Sequence, residues 1–536
     1  MSKRMVRVLV ALLVLALLFG CTPTPPAPGG DAPGGDAAPG GDTPGAERSR
    51  TVNIAFSENA TTLDPHNFTN QGSRATVHMT FEALVRSDHA GNHFPHLAES
   101  WEFNEDGSAM TLRLREGVYF HNGEYFDADA VVFNFERLIE GRSTLGVAIN
   151  FWQALESVEA IDQYNVRLNF DGPFSSALTS LKCTFMIPPG AFEEHGEALF
   201  NDQIMYGTGP WIFEEWVDGQ FARFTKNTSY WNIANYDSYF NEVFIRYVVE
   251  PSSAVAAHLA GDVDAYIGIG GISADMVPLY AGAEDRIQVV NFLTSSFKYL
   301  HLSYREGSVF HDENVRWALV YGIDRQSISD NLLGGGPPVR SMFPQGVVGY
   351  DPTIEPYVFD PDRARQFLED STYDGRELLL LANSGSPSAE SVNLAIADML
   401  GQVGFNIVVR VEDSATFNTL RAAGEYDIFS IHSMYGDGNP FNHLTARILR
   451  DIHGSYFYDT EMFAVIEEFT IAMDPDERQR LAAQVNRMFR ELPGPQTAYA
   501  VLYANQAINW GITGIDLFPD GFVGFNRVDW DPTLIP

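Results

Sequence analysis

The chain has 536 residues, with 34 Lys and Arg against 70 Asp and Glu and a formal net charge of −36. That balance excludes a surface built to hold nucleic-acid phosphates. A hydrophobic content of 45% is ordinary for a globular chain, and the length exceeds what one core usually covers.

Lys3, Arg4 and Arg7 precede an apolar run from Val8 to Phe19. The run is too short to span a bilayer, which takes ~20 residues. It ends at Gly20-Cys21, a small residue followed by Cys, which reads as a lipoprotein signal. Residues 1–20 are then expected to be removed and Cys21 to carry lipid. An ordinary signal peptide or a membrane anchor is the alternative. Residues 21–50 are Pro, Gly and Asp-rich, hold too little apolar surface to offset ordering entropy, and form a linker. With Cys21 lipidated, Cys183 is alone, no disulfide forms within the chain, and Cys183 is expected as a small buried hydrophobe.

Folding is expected to begin near Thr51, where Val52, Ile54 and Phe56 alternate as a strand. Ser100–Phe103 and the alternating Met110, Leu112 and Leu114 flank the turn residues Asn104-Glu105-Asp106-Gly107. After a second turn at His121-Asn122-Gly123, the period changes, and Val131, Val132, Phe135 and Leu138 share a helical face over Asp127–Leu138. Val158–Asp162 and Tyr164–Phe170 suggest a hairpin, and the aromatics Trp211, Trp216, Tyr230 and Trp231 read as packing residues. Glu242–Val248 is a strand and Ser252–Leu259 a helix.

The second half opens on a short strand, Tyr299–Ser303, and a helix over Asp312–Arg325 with Val315, Ala318, Leu319 and Ile323 on one face; Arg316 and Asp324 are expected to pair. Asp360-Pro361 and Asp474-Pro475-Asp476-Glu477 are helix starts, an N-cap followed by Pro at the first helical position. Leu481, Val485, Met488 and Leu492 form the buried stripe of the latter. Ala395–Val403 is a helix stopped by Gly404, and Ile407–Val411 and Tyr426–Phe429 are strands. Alternating strands and helices give an α/β fold.

Signs of catalysis are few. No Lys precedes Ser or Thr, so there is no Walker A loop, and no His precedes Glu, so there is no H-E-x-x-H. No G-x-S-x-G elbow occurs. His93 and His96 straddle Pro95 in a strand-turn segment and are not expected to hold metal; His121 is read as a turn residue. No enzyme activity, cofactor or metal is expected.

Pro95 to Arg137 carries a resemblance. Pro95, Leu97, Ala98, Ser100, Trp101, Asp106, Gly107, Leu114, Arg115, Gly117, Val118, Phe120, His121, Gly123, Ala128, Asp129, Val131, Phe133 and Arg137 run gap-free through a pattern similar to that of the extracellular family-5 solute-binding proteins of ABC importers, the dipeptide, oligopeptide and nickel group. Thr62-Leu63-Asp64-Pro65-His66, Gly207-Thr208-Gly209-Pro210-Trp211 and Asp312–Arg325 also resemble family segments. The resemblance implies a class II periplasmic-binding-protein-like α/β fold, two lobes around a hinge, with the extra subdomain of the large peptide-binding group. Lobe I is expected over 51–297, including the extra subdomain at about 78–200, and again over 500–536. Lobe II spans 298–499, with the hinge near 297 and 500.

It also implies a site. In oligopeptide binders a stretch after the L-D-P-H segment pairs with the ligand backbone; here it falls on Thr69, Asn70 and Gln71. Met434–Pro440 resembles the segment whose Asp takes the ligand α-ammonium, which places that role on Asp437 and main-chain pairing on Tyr435 and Gly436. A polar surface loop and an Asx-turn are the plain alternatives for these two segments. The implied function is the substrate-binding lipoprotein of an importer, a monomer that captures a solute, a short peptide first, and delivers it to the permease and ATPase subunits. A nickel chelate, oligosaccharide or other small polar solute is the alternative; a cleft hydrolase is the distant one. The expected place is the cell envelope, on the outer face of the cytoplasmic membrane or in the periplasm, held by the lipid alone.

Overall fold

The computed structural model describes residues 50–536 apart from 69, 89–91, 202, 269–270, 274–275, 385–387, 436–438, 442, 450–456, 493–495 and 519–521. Among the described residues, no helix is long and apolar enough to cross a membrane.

A ten-stranded sheet organises the chain. Its strands are β1 (Thr51–Phe56), β2 (Trp211–Val217), β3 (Phe221–Lys226), β4 (Glu242–Tyr247), β5 (Ala265–Ile267), β6 (Ile287–Leu302), β7 (Glu377–Asn383), β8 (Asn406–Glu412), β9 (Ile428–Met434) and β10 (Gln496–Asn509). Their order across the sheet is β8-β7-β9-β6-β10-β5-β1-β4-β3-β2. β1 runs parallel to β4 and β5, and β7 runs parallel to β8 and β9. The long antiparallel pair β6 and β10 joins these two sets, from Ile287↔Asn509 to His301↔Gln496, and its register shifts between Leu293 and Phe297.

The inner strands of each half of the sheet are buried on both faces. Val52, Ile54 and Phe56 of β1 pack with Phe224, Ile245 and Phe525 on one side, while Ala55 faces Val255, Tyr266 and Tyr280. In the other half, Leu300, Leu380 and Ile428 pack under Leu319, Ile396 and Leu400, and Phe297 and Tyr299 face Ile466, Leu481 and Phe489. A separate four-stranded antiparallel sheet orders Ala98–Phe103, Ala109–Leu114, Asn165–Phe170 and Leu155–Asp162. The helix Ala128–Glu140 shares its core: Met110, Leu112, Leu114, Val166 and Leu168 pack with Phe135, Leu138 and Trp152.

Local signals account for much of this. Asp127, Asp360 and Asp474 cap their helices, each accepting from a backbone N–H of the first turn. Gly107 takes φ 72 in the turn between Phe103 and Ala109, a conformation that disfavours a Cβ.

Five expectations are corrected. Tyr299–Ser303 is not a short strand but the end of the sixteen-residue β6, whose polar stretch Thr294-Ser295-Ser296 hides its continuity; pairing with β10 holds it. The helix expected over Asp312–Arg325 stops at Gly322, and Arg325–Leu332 is a second helix because Asp324 caps it by accepting from Ser327 N. Arg316 donates instead to the carbonyls of Phe310 and His311. The helix ending at Val403 begins at Ala389, six residues before the expected start. In Pro475–Glu491, Phe489 is buried with Leu481 and Val485, whereas Met488 is half-buried and Leu492 is exposed beyond the helix end. Cys183 is buried, and its Sγ also accepts from Arg74 Nη2 at 3.3 Å.

Candidate functional site

The register of the large sheet locates a site. β5 meets β10 near its C-terminal end, at Ala265↔Ile508 and Tyr266↔Ala507, so the parallel strands of the first half run toward the middle of β10. β9 meets β6 from Ile428↔Leu302 to Met434↔Ser296, so the parallel strands of the second half end at the register shift of β6. The carboxyl ends of both parallel sets therefore point, from opposite directions, toward the middle of the β6–β10 pair. Ligands in open α/β sheets bind outside such strand ends.

The segments that resembled ligand-contacting stretches both follow these ends. After β1 the chain reaches Asn70 and the helix α1 (Gln71–Val77); Thr69 lies outside the described residues. Asn70 caps α1 by accepting from Ser73 N at 2.9 Å and donates to Asn59 O at 2.9 Å. Gln71 Oε1 is buried and accepts no hydrogen bond among the described residues. After β9 comes Tyr435, while Gly436 and Asp437 lie outside the described residues. The Tyr435 ring is buried, stacks on Phe297 at 4.7 Å and 6°, and donates its hydroxyl to Met342 O at 3.1 Å. Its main chain is tied to the register shift: Ser295 Oγ donates to Tyr435 O at 2.8 Å and accepts from Tyr435 N at 3.3 Å. Lys298, farther along β6, is 3% exposed, and burial pushes its ammonium down to about 8.

A cavity of about 320 Å³ adjoins α1. Arg74 enters it from α1 and His78 from the cap just past α1, Lys182 from the end of the helix Ala177–Lys182, and Phe518 and Phe522 from the C-terminal segment. The Arg74 guanidinium lies 3.9 Å from the centre of the Phe522 ring, and Lys182 Nζ lies 5.5 Å from that of Phe518. Glu82 sits in the wall. Its carboxylate accepts from Tyr230 Oη at 2.6 Å, Trp231 Nε1 at 2.9 Å and Thr208 Oγ1 at 2.8 Å, and pairs with His96 Nε2 at 2.8 Å. Burial raises its pKa, but the His96 charge and these hydrogen bonds outweigh burial and leave it below the usual range.

These contacts place other residues singled out in the sequence. Tyr230 and Trp231 hold Glu82, Trp211 donates to Asn526 O, and Trp152 donates to Thr184 Oγ1. His93 meets Ser87 Oγ, and His121 donates to Gly209 O. Among the described residues, no group of three or more His, Cys, Asp or Glu is placed to hold a metal ion. Arg74, Lys182, Phe518 and Phe522 do not stand out as a group in the sequence. A signal for them exists: the chain has four lysines, Lys3, Lys182, Lys226 and Lys298, and Lys182 borders this cavity.

Comparison with known proteins decides the family. Residues 93–447 match the bacterial extracellular solute-binding proteins, family 5 (middle region). The chain belongs to this family. It is a family of binding receptors rather than enzymes, and the fold is the class II periplasmic-binding-protein α/β fold, two-lobed with an extra subdomain. The family-5 chain is 26% identical over 372 residues to the glutathione-binding protein GsiB of Salmonella paratyphi A, covering 68% of this chain and 70% of that protein. Among solved structures, HbpA2 of Haemophilus parasuis superposes with a TM-score of 0.78 at 21% identity, over 90% of this chain and 100% of the other. NikA of Brucella suis, solved with Fe(III)-EDTA, gives 0.77 at 22% identity over 90% and 100%. DppA of Helicobacter pylori, solved with the peptide STSA, gives 0.71 at 20% identity over 90% and 98%. At these identities the structures speak for the fold alone.

Proposed function

We propose that this chain is the lipid-anchored receptor of an ABC importer, which captures a short peptide where the strand ends converge and delivers it to the permease and ATPase subunits. The observation that carries the reading is that both parallel strand sets point toward the middle of β6 and β10. A bound solute there touches both halves at once, so it stabilises a closed arrangement over an open one. The chain crosses between the halves near 297 and 500, next to the register shift, and this is the proposed hinge. Lobe I comprises 51–297 with the subdomain at about 78–200 and returns over 500–536; lobe II is 298–499.

Thr69, Asn70 and Gln71 approach the solute from lobe I, and Tyr435, Gly436 and Asp437 from lobe II. The Asp437 carboxylate takes the α-ammonium, a group that needs an opposite charge once desolvated. Gln71 Oε1 is an acceptor that a peptide N–H satisfies. The name of the GsiB relatives, glutathione-binding, supports a peptide. Cys21 holds the receptor, a monomer, to the outer face of the membrane.

Native mass spectrometry of the purified protein tests this. Co-purified short peptides that Asp437→Ala loses are the expected result. A single non-peptide mass, such as a metal chelate or a sugar, overturns the peptide assignment and the role of Asp437.

A further inference from the structure

The four-stranded sheet and the second half of the large sheet keep separate cores. Met110, Phe174 and Ala177 belong to the first, and Leu481, Val485 and Phe489 to the second. The four-stranded body is fastened to the first half of the large sheet: Glu82 accepts from Tyr230 and Trp231, and His66, after β1, meets Phe185 O at 2.8 Å. It meets the second half at a corner of the chain between the helices Thr460–Ile471 and Pro475–Glu491. Met473, at that corner, lies over Gly107, and a Cβ on Gly107 would stand 2.7 Å from Met473 Sδ. Gly107 is buried although Asn104, Glu105 and Asp106 beside it are exposed. Arg478 is only 8% exposed and donates to the Ser175 hydroxyl, next to Phe174. Its guanidinium is held on its own side by the carbonyls of Phe469 and Ala472, each at 3.2 Å, at the carboxyl end of the helix Thr460–Ile471, and by the Phe469 ring at 4.4 Å. Such a donor is preorganised, so meeting Ser175 freezes little further motion. Arg478 Nη2 also donates to Asn439 Oδ1 at 3.4 Å, two residues after Asp437 in sequence. The same side chain therefore ties the loop behind the proposed site to the surface that meets Ser175.

We propose that Met473 and Arg478 form a closure latch with Gly107 and Ser175, made only when the two halves stand together, and that this latch sets solute affinity without touching the solute. The proposal rests on the reading of the chain as a receptor that closes over a solute. It adds a contact of the protein with itself that favours the closed arrangement. The solute then supplies less of the closing free energy, because apparent affinity scales with the closed fraction.

Small-angle X-ray scattering of the purified protein, with no solute added, reads the latch directly. The double variant Ser175→Ala, Met473→Ala is expected to show a larger radius of gyration at unchanged helical circular dichroism. Ser175→Thr, which keeps the hydroxyl, is expected to keep the original radius. Calorimetric titration with Ala-Ala is expected to show about tenfold weaker binding to the double variant, the worth of one hydrogen bond to a charged group. Arg480→Ala, an exposed position of the same helix paired with Glu477, is expected to change neither reading. An unchanged radius in the double variant, or a larger radius with unchanged Ala-Ala affinity, overturns the latch. If Ala-Ala binds to none of these proteins, the peptide reading fails, and the radius alone decides the latch: a larger one supports it and an unchanged one overturns it.

Discussion

Arg137 grips Asp64 with two hydrogen bonds, Nη1 to Oδ1 at 3.1 Å and Nη2 to Oδ2 at 2.8 Å, across 73 residues of sequence. Both side chains are buried, at 7% and 6% exposure. Asp64 also accepts from His66 N at 2.9 Å, so the loop after β1 is locked to the helix Ala128–Glu140 and through it to the four-stranded sheet. Glu197 adds a second, solvent-facing carboxylate to Arg137. Removing one partner of such a pair strands a buried charge. Arg137→Met is therefore expected to cost about 3–5 kcal/mol, read from urea unfolding, and Arg137→Met with Asp64→Leu to cost less than Arg137→Met alone. A single-variant loss below about 1 kcal/mol would show that the pair is dispensable.

Two buried histidines set a pH dependence. Burial, then the neighbouring Arg137 charge, pushes His66 from its ordinary 6.5 down to about 3. Burial pushes His258 down to about 4. In the unfolded chain both titrate near the ordinary value, so below it the unfolded state binds more protons than the folded one. The stability tied to these imidazoles is thus fully present above pH 6.5 and is lost as pH falls toward 4 and 3. Each accounts for about 2 kcal/mol by pH 5. Urea midpoints measured between pH 7.5 and pH 5 are expected to fall (about 1.4 kcal/mol per pH unit per histidine at full slope), and His258→Gln to flatten the fall.

Much of this was legible locally. Caps written by Asp127, Asp360 and Asp474 set helix starts, and alternation at Met110, Leu112 and Leu114 set a buried strand face. These are short-range rules, and they held where the chain obeys them. The long strand β6 escaped because Thr294-Ser295-Ser296 breaks the apolar pattern where the register shifts, and the support for those residues comes from β10 and from Tyr435. The helix split at Ile323 turned on whether Asp324 faces solvent or caps a new turn, which the apolar stripe does not encode. The cavity was the least legible part, because Arg74, Lys182 and Phe522 meet only through tertiary packing.

Glu82 offers a test of the wall behind that cavity. All of its donors come from elsewhere in the chain: Tyr230, Trp231 and Thr208 by hydrogen bonds, His96 as an ion pair. Glu82→Gln turns one acceptor oxygen into a donor facing other donors. It is expected to cost about 2–3 kcal/mol in urea unfolding, more than Thr208→Val, which removes one of the hydrogen bonds and costs about 1 kcal/mol. Trp231 fluorescence is expected to shift in the folded Glu82→Gln protein, since the group to which its indole N–H donates loses its charge.

Two glycines separate packing from propensity. Gly72, in the first turn of α1, donates its N–H to Glu58 Oε2 at 2.8 Å, and a Cβ there would stand 2.2 Å from Asn59 O and 2.5 Å from its carbonyl carbon. Backbone does not yield at that distance, so Gly72→Ala must push α1 away from the loop at 58–59. The expected outcome is a loss of about 1–3 kcal/mol in stability. Solute affinity should fall as well, because Asn70 and Gln71 move with the helix end. Gly401 lies in the helix Ala389–Val403 and is exposed, and a Cβ added to it would meet nothing within 4 Å. Gly401→Ala is expected to raise stability by about 0.5–1 kcal/mol through helix propensity and to leave solute affinity unchanged. If Gly72→Ala matched Gly401→Ala in both measurements, the close approach of α1 to Asn59 would play no part in shaping the site.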